Sequence, residues 1–232
     1  MSKPKAFIPE WSRRSWHTLD YEAGAGLERS EVKNLEKILD GNPDNRLARL
    51  LLAGYYQRSV WEKPRNARNA EKYIDHLFWL IDNEPACIDL RYVTIDSGTP
   101  WLDRVARRWQ KALRANPENL QVLVNAAHFF RLSSLRKAES LWKRILSLES
   151  GNGDYYQQLS ALYRLHASDP KLLSDRRYAK KAVVNFARAL EIYAENPKSA
   201  PSAKCLRQEL SELHSLCLKF GLEPEGFMTG SL

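Results

Sequence analysis

Along most of the chain, apolar residues recur every three or four positions, the spacing that lays them on one face of an α-helix. The pattern is cleanest over residues 112–163. From Leu120 it runs through Leu123, Ala126, Ala127 and Phe130, and a second series follows at Leu135, Ala138, Leu141, Trp142, Ile145 and Leu148. Asn116-Pro117 stops the preceding helix, because proline lacks an N–H and disfavours α geometry in the residue before it. The Ser133-Ser134 pair between the two series offers a hydroxyl to cap the second helix.

The same rhythm predicts a short helix over about 28–40 (Val32, Leu35, Ile38, Leu39) and one from Asp44 in which Leu52, Ala53 and Tyr56 repeat the order of Ala126, Ala127 and Phe130. A partner follows over about 66–82 (Tyr73, Leu77, Leu80), then a helix over 101–115 with Val105, Trp109 and Ala112 inward. Thr99-Pro100 reads as its N-cap and first helical residue. Further helices are expected over about 154–167 (Tyr156, Leu159, Ser160, Tyr163), 174–195 (Ala182, Phe186, Ala189) and 201–220 (Leu206, Leu210, Leu213, Leu216, Cys217). Residues 1–26, with Pro4, Pro9, Trp11, Trp16 and an Ala-Gly-Ala-Gly run, read as an extended arm. Residues 86–99, rich in β-branched residues, read as a non-helical insertion, and 221–232 as a frayed tail.

Helix stops at Pro43, Pro85, Pro117, Gly151 and Pro197 recur at intervals that bracket a repeat of about 34 residues. The helix pair at 120–148 resembles the tetratricopeptide repeat. Leu123, Ala126, Ala127 and Phe130 stand at that family's large, large, small and aromatic positions, Ala138, Trp142 and Ile145 at its small, aromatic, small positions, and Pro117 at its terminal proline. The resemblance implies an all-α, right-handed solenoid of antiparallel helix pairs, about nine helices over residues 27–220, that acts as a protein-interaction scaffold. It further implies a concave groove that takes an extended peptide or a partner's helix and is lined by the first helix of each pair, here Gln121, Asn125, His128 and Leu132 from one unit and Asp154, Gln158 and Ala161 from the next, with Arg131 and Arg164 at the margin. Asn125 matches an asparagine that chaperone-binding members place on a peptide carboxylate. The rest of that clamp is replaced by Leu50, Gly54, Asp154 and Gln158, which disfavours a chaperone tail as ligand.

Charge adds a second candidate surface. The formal net charge is +8, and residues 101–200 hold 18 basic against 9 acidic groups while residues 1–100 balance at 15 each. Arg104, Arg107, Arg108, Lys111 and Arg114 form a stripe on one predicted helix, and Arg177, Lys181 and Arg188 share a face of a later one. Such a face meets RNA, DNA or an acidic protein. The alternative to a peptide-binding scaffold is therefore a basic nucleic-acid module.

Catalytic chemistry has no foothold in the pattern. The five histidines are scattered without a ligand spacing, and no phosphate-cradling glycine motif or G-x-S-x-G is present. Cys87, Cys205 and Cys217 have no C-x-x-C spacing, so neither a zinc site nor a disulfide framework is expected. The sequence therefore predicts no enzyme, no cofactor and no metal. No apolar run reaches the roughly 20 residues of a membrane span and no signal-peptide core stands at the N-terminus, so a cytoplasmic protein without membrane insertion is expected.

Overall fold

A computed structural model describes residues 20–62, 67–93, 95, 99–168 and 175–222. Within them the protein is all-α, with no strand. The helices are α1 (Asp20–Gly24), α2 (Arg29–Gly41), α3 (Arg46–Glu62), α4 (Ala67–Asn83), α5 (Leu102–Ala115), α6 (Leu120–Ser133), α7 (Leu135–Leu148), α8 (Gly153–Ser168), α9 (Arg176–Glu195) and α10 (Ala203–Phe220). The chain forms two compact units, dividing between Asn116 and Pro117. Asn116 ends α5, its side-chain amide and its N–H both donating to the Ala112 carbonyl, and Pro117 prevents continuation.

In the first unit α3 packs against α1, α2 and α4, and α4 also carries α5. The core series emerges as periodicity requires: Leu52, Ala53, Leu77, Leu80, Val105 and Trp109 are all completely or nearly completely buried. Truncating a side chain such as Trp109 costs about 3–5 kcal/mol, because the void cannot fully collapse. Two features correct the sequence reading. Within the arm expected over 1–26, Asp20–Gly24 is a helix rather than extended chain, which brings the helix count to ten among the described residues; Trp11 and Trp16 lie outside them. Glycine makes the α1 packing possible. A Cβ on Gly24 would overlap the Leu51 carbonyl, and one on Gly54 would overlap the Tyr21 carbonyl, so the two backbones meet through reciprocal glycines.

The second correction concerns the expected insertion. Ile88–Tyr92 is a short 3-10 helix, held by a buried Asp89 that accepts from the Tyr21 N–H at 3.3 Å and from the Cys87 thiol at 3.5 Å. Leu90 and Val93 turn inward while Ile88 remains exposed. Burial pushes the Cys87 thiol above its ordinary pKa. At the start of α5, Trp101 and not Thr99 occupies the N-cap, with the Leu102 N–H donating to the Thr99 carbonyl at 3.4 Å.

In the second unit α6 packs on α7, α7 on α8, α8 on α9, and α10 on both α8 and α9. Ala126, Ala127, Ala138, Ile145, Ala182, Phe186 and Ala189 have no exposed surface, so the small residues mark close helix contacts. Asn119, Asp175 and Ser202 cap α6, α9 and α10 by accepting backbone N–H bonds through their side chains. Ser134 does not cap α7 in the way expected. It is the single joint residue between α6 and α7, its N–H given to Phe130 and its carbonyl to Ala138, and no side-chain capping bond forms. Gly221 closes α10 in the left-handed conformation (φ 59°), with the Leu222 N–H returning to the Cys217 carbonyl, so these two residues of the expected frayed tail are ordered as a helix cap, and 223–232 lie outside the described residues.

One polar device occurs in both units. Glu36 of α2 accepts from the Tyr56 hydroxyl (2.6 Å) and pairs with Lys72, which also donates to the Tyr56 oxygen at 3.1 Å. Glu139 of α7 accepts from the Tyr163 hydroxyl (2.8 Å) and from Lys181 at 3.2 Å. Each clasp joins three consecutive helices through the same Glu, Tyr and Lys side chains. Burial raises the Glu139 carboxyl, but bonds from Lys143, Tyr163 and Lys181 outweigh it and bring it down to about 2.

Candidate functional site

Three helices that carry the same order of core residues allow a direct comparison of faces. With Leu52-Ala53-Tyr56, Ala126-Ala127-Phe130 and Leu159-Ser160-Tyr163 superposed in sequence, Leu51, Gly54 and Arg58 of α3 correspond to Asn125, His128 and Leu132 of α6 and to Gln158, Ala161 and Leu165 of α8. On α3 this face is occupied by α1: Gly24 sits on Leu51, Tyr21 on Gly54, and Arg58 donates to the Ala25 carbonyl at 2.8 Å. On α6 and α8 the corresponding face opens into a cavity of about 710 Å³. That volume lies within the range of ligand pockets.

His128, Arg131 and Leu132 of α6 and Gln158, Ala161, Arg164 and Leu165 of α8 line it. Six of the nine residues predicted for the groove and its margin, His128, Arg131, Leu132, Gln158, Ala161 and Arg164, therefore converge on one space. Trp142 forms part of the wall, with the His128 ring edge-on to it at 5.5 Å. Leu132 keeps 45% of its surface exposed, an apolar side chain presented and not packed.

The other three predicted residues stand elsewhere. Asp154 lies outside the cavity lining and accepts from the Tyr193 hydroxyl at 2.6 Å. Asn125 has no exposed surface, and its side-chain oxygen accepts from Gln121 Nε2 at 2.8 Å. It is thus a buried polar group with an internal partner, unable to meet a ligand in this conformation, and the expected ligand-contacting role of Asn125 is corrected accordingly. Gln121 is engaged with Asn125 and lies outside the cavity lining.

The third wall was not foreseen. Ser211, Glu212, Ser215, Leu216 and Lys219 of α10 complete the cavity. Periodicity marks which face of α10 packs, but not that its flank approaches α8. The signal available in the sequence was charge: Glu209 and Glu212 on α10 meet Arg164 at 3.1 and 2.5 Å.

Arg131 and Arg164 occupy equivalent positions but different electrostatic states. Arg164 is held by two carboxylates. Arg131 makes no ion pair and its guanidinium donates no hydrogen bond among the described residues; only its backbone carbonyl is used, meeting His166 Nε2 at 3.0 Å. Burial pulls the Arg131 guanidinium below its ordinary pKa, with no carboxylate to counter it.

The predicted basic surface is largely consumed locally. Arg108 pairs with Asp82 and, like Arg104, stacks on the Phe78 ring (4.0 and 4.9 Å). Arg177 pairs with Asp175, Lys181 with Glu139 and Arg188 with Glu191. Arg107, Lys111 and Arg114 are exposed and make no ion pair among the described residues.

Among those residues no group of three or more His, Cys, Asp or Glu side chains is placed to hold a metal, and no helix is long and apolar enough to cross a membrane. Comparison with models of protein families, with curated proteins and with solved structures returns no match.

Proposed function

We propose that the protein is a non-catalytic interaction scaffold of tetratricopeptide-like helix pairs, wound as a right-handed solenoid, whose second unit holds a segment of a partner protein between α6, α8 and α10. The observation that carries this reading is the contrast between equivalent faces. The α3 face is filled by a segment of the chain itself, whereas the α6 and α8 faces border an open cavity with an exposed leucine. A surface built to be covered, and covered by peptide in its one internal counterpart, is suited to a peptide ligand. A cytoplasmic location belongs to the same proposal.

The basic-module alternative has a narrower footing, the ridge Arg107, Lys111 and Arg114 on α5. Three phosphate contacts correspond to a log-log salt slope of about −3. Affinity capture from native cell extract separates the readings when Ala161→Arg, which places a long charged side chain in the cavity, is set beside Arg107→Glu/Lys111→Glu/Arg114→Glu. The expected result is loss of the captured partner with Ala161→Arg and retention with the triple reversal. The opposite pattern overturns the groove reading in favour of the α5 ridge.

A further inference from the structure

The cavity contains its own example of what satisfies an arginine at this repeat position. The dipeptide Arg-Leu occurs at 131–132 on α6 and again at 164–165 on α8, in equivalent register, and all four residues line the same cavity. Arg164 is answered by Glu209 and Glu212 of α10, a helix lying alongside. Arg131 is half-buried and, among the described residues, unanswered. A guanidinium carries five N–H donors, and a partly desolvated one gains most from a carboxylate that accepts two of them in parallel. Position in the last turn of α6 accounts for part of its charge, since the helix end carries roughly half a negative charge. That leaves the side-chain donors unfilled. Lys219, in the last turn of α10, lines the cavity too and makes no ion pair among the described residues.

We infer that the cavity takes an acidic side chain of the partner segment, Asp or Glu, seated on the Arg131 guanidinium with Lys219 as a second cation, while an aliphatic neighbour of that residue covers Leu132 and Leu165. The partner is thus a protein segment with an acidic residue beside Leu, Ile or Val, recognised at an internal position and not through a chain terminus. This inference rests on the groove reading of the second unit. Burial alone shifts the Arg131 pKa, and an incoming carboxylate restores it.

The test uses the full chain and a display library of short random peptides. Selected sequences are synthesised with amidated C-termini, so that side chains supply the only carboxylates, and their affinities are measured by fluorescence anisotropy. The expected outcome is enrichment of Asp or Glu next to an aliphatic residue. Replacing that acid by its amide, or Arg131→Ala, then weakens binding about tenfold or more, the scale of a charge-assisted hydrogen bond. Arg131→Lys retains part of the affinity, as a charge without the bidentate fork. Thermal melting of each variant confirms folding. Peptides that lose binding with Ala161→Arg but are indifferent to Arg131 and to their own acids overturn the acidic-site inference and leave the groove reading standing. Peptides that bind equally well with Ala161→Arg, or a library that selects nothing, overturn both.

Discussion

The α3 face and the α6–α8 face flank the same order of core residues and end in opposite states. On α3, Gly54 removes the side chain that would hold α1 away, Gly24 answers it from the other side, and Tyr21 is carried to within hydrogen-bonding distance of Tyr73 (3.2 Å). On α6 and α8 the positions equivalent to Gly54 are His128 and Ala161, which keep neighbouring elements at a distance that leaves a cavity. The size of one residue on each helix thus separates a face covered by the chain's own backbone from one that borders a cavity.

That comparison predicts its largest asymmetry in stability. Gly54→Leu forces α1 off α3 and should cost about 3 kcal/mol, the upper range for overpacking, read as a lowered melting temperature. Unchanged melting would show that the reciprocal glycines do not set the α1 contact.

A smaller effect separates the two polar clasps. Beside the first, His76 stacks on the Tyr56 ring (centroids 5.9 Å apart), its Nδ1 buried without a partner; the corresponding residue beside the second clasp is Asn185. Burial, then the Arg49 charge, push His76 down to about 4, with Glu36 opposing and Lys72 adding. The folded state therefore keeps this ring neutral while the unfolded chain protonates it near its ordinary value of about 6.5. Its contribution is complete above about pH 6.5 and is lost as the pH falls towards 4, a difference on the order of 1–2 kcal/mol. Denaturant melts across that window should show a flatter pH dependence in His76→Asn than in the parent. Parallel curves would remove His76 as the source.

The smallest effect belongs to the open face. Ala161→Leu projects into the cavity and should shift stability by no more than about 0.5 kcal/mol, measured in the same denaturant melts. A loss like that of Gly54→Leu would mean that α10 closes on this face more tightly than the cavity suggests.

Which parts were readable beforehand follows from how local their causes are. Trp109, Trp142, Phe130 and Phe186 lie where a 3.6-residue period puts them, and all are buried. His128, Arg131, Gln158 and Arg164 were placed by the same period combined with repeat alignment, and they meet in one cavity. Asp20–Gly24 was missed because a five-residue glycine-containing helix has no intrinsic stability; it forms only where α3 receives it. Asn125 was placed on the ligand side because a polar residue on the groove side of a helix reads as exposed. It is fully buried and accepts from the Gln121 amide, a side-chain pairing invisible to periodicity. The two serine and threonine caps failed for a related reason. Ser134 is committed to both flanking helices through its backbone, and the chain turns into α5 at Trp101.

The same burial and bonding that build the clasps also set how a group of tyrosines responds to base. Burial first, reinforced by hydrogen bonds to Glu36, Glu139 and Asp154, holds the phenols of Tyr56, Tyr163 and Tyr193 far above their ordinary range; burial does the same for Tyr21 and Tyr73. Phenolate absorbance from these five thus requires strong alkali, where their ionisation accompanies loss of the fold. Ultraviolet light alone gives a label-free view of the inter-helix joints.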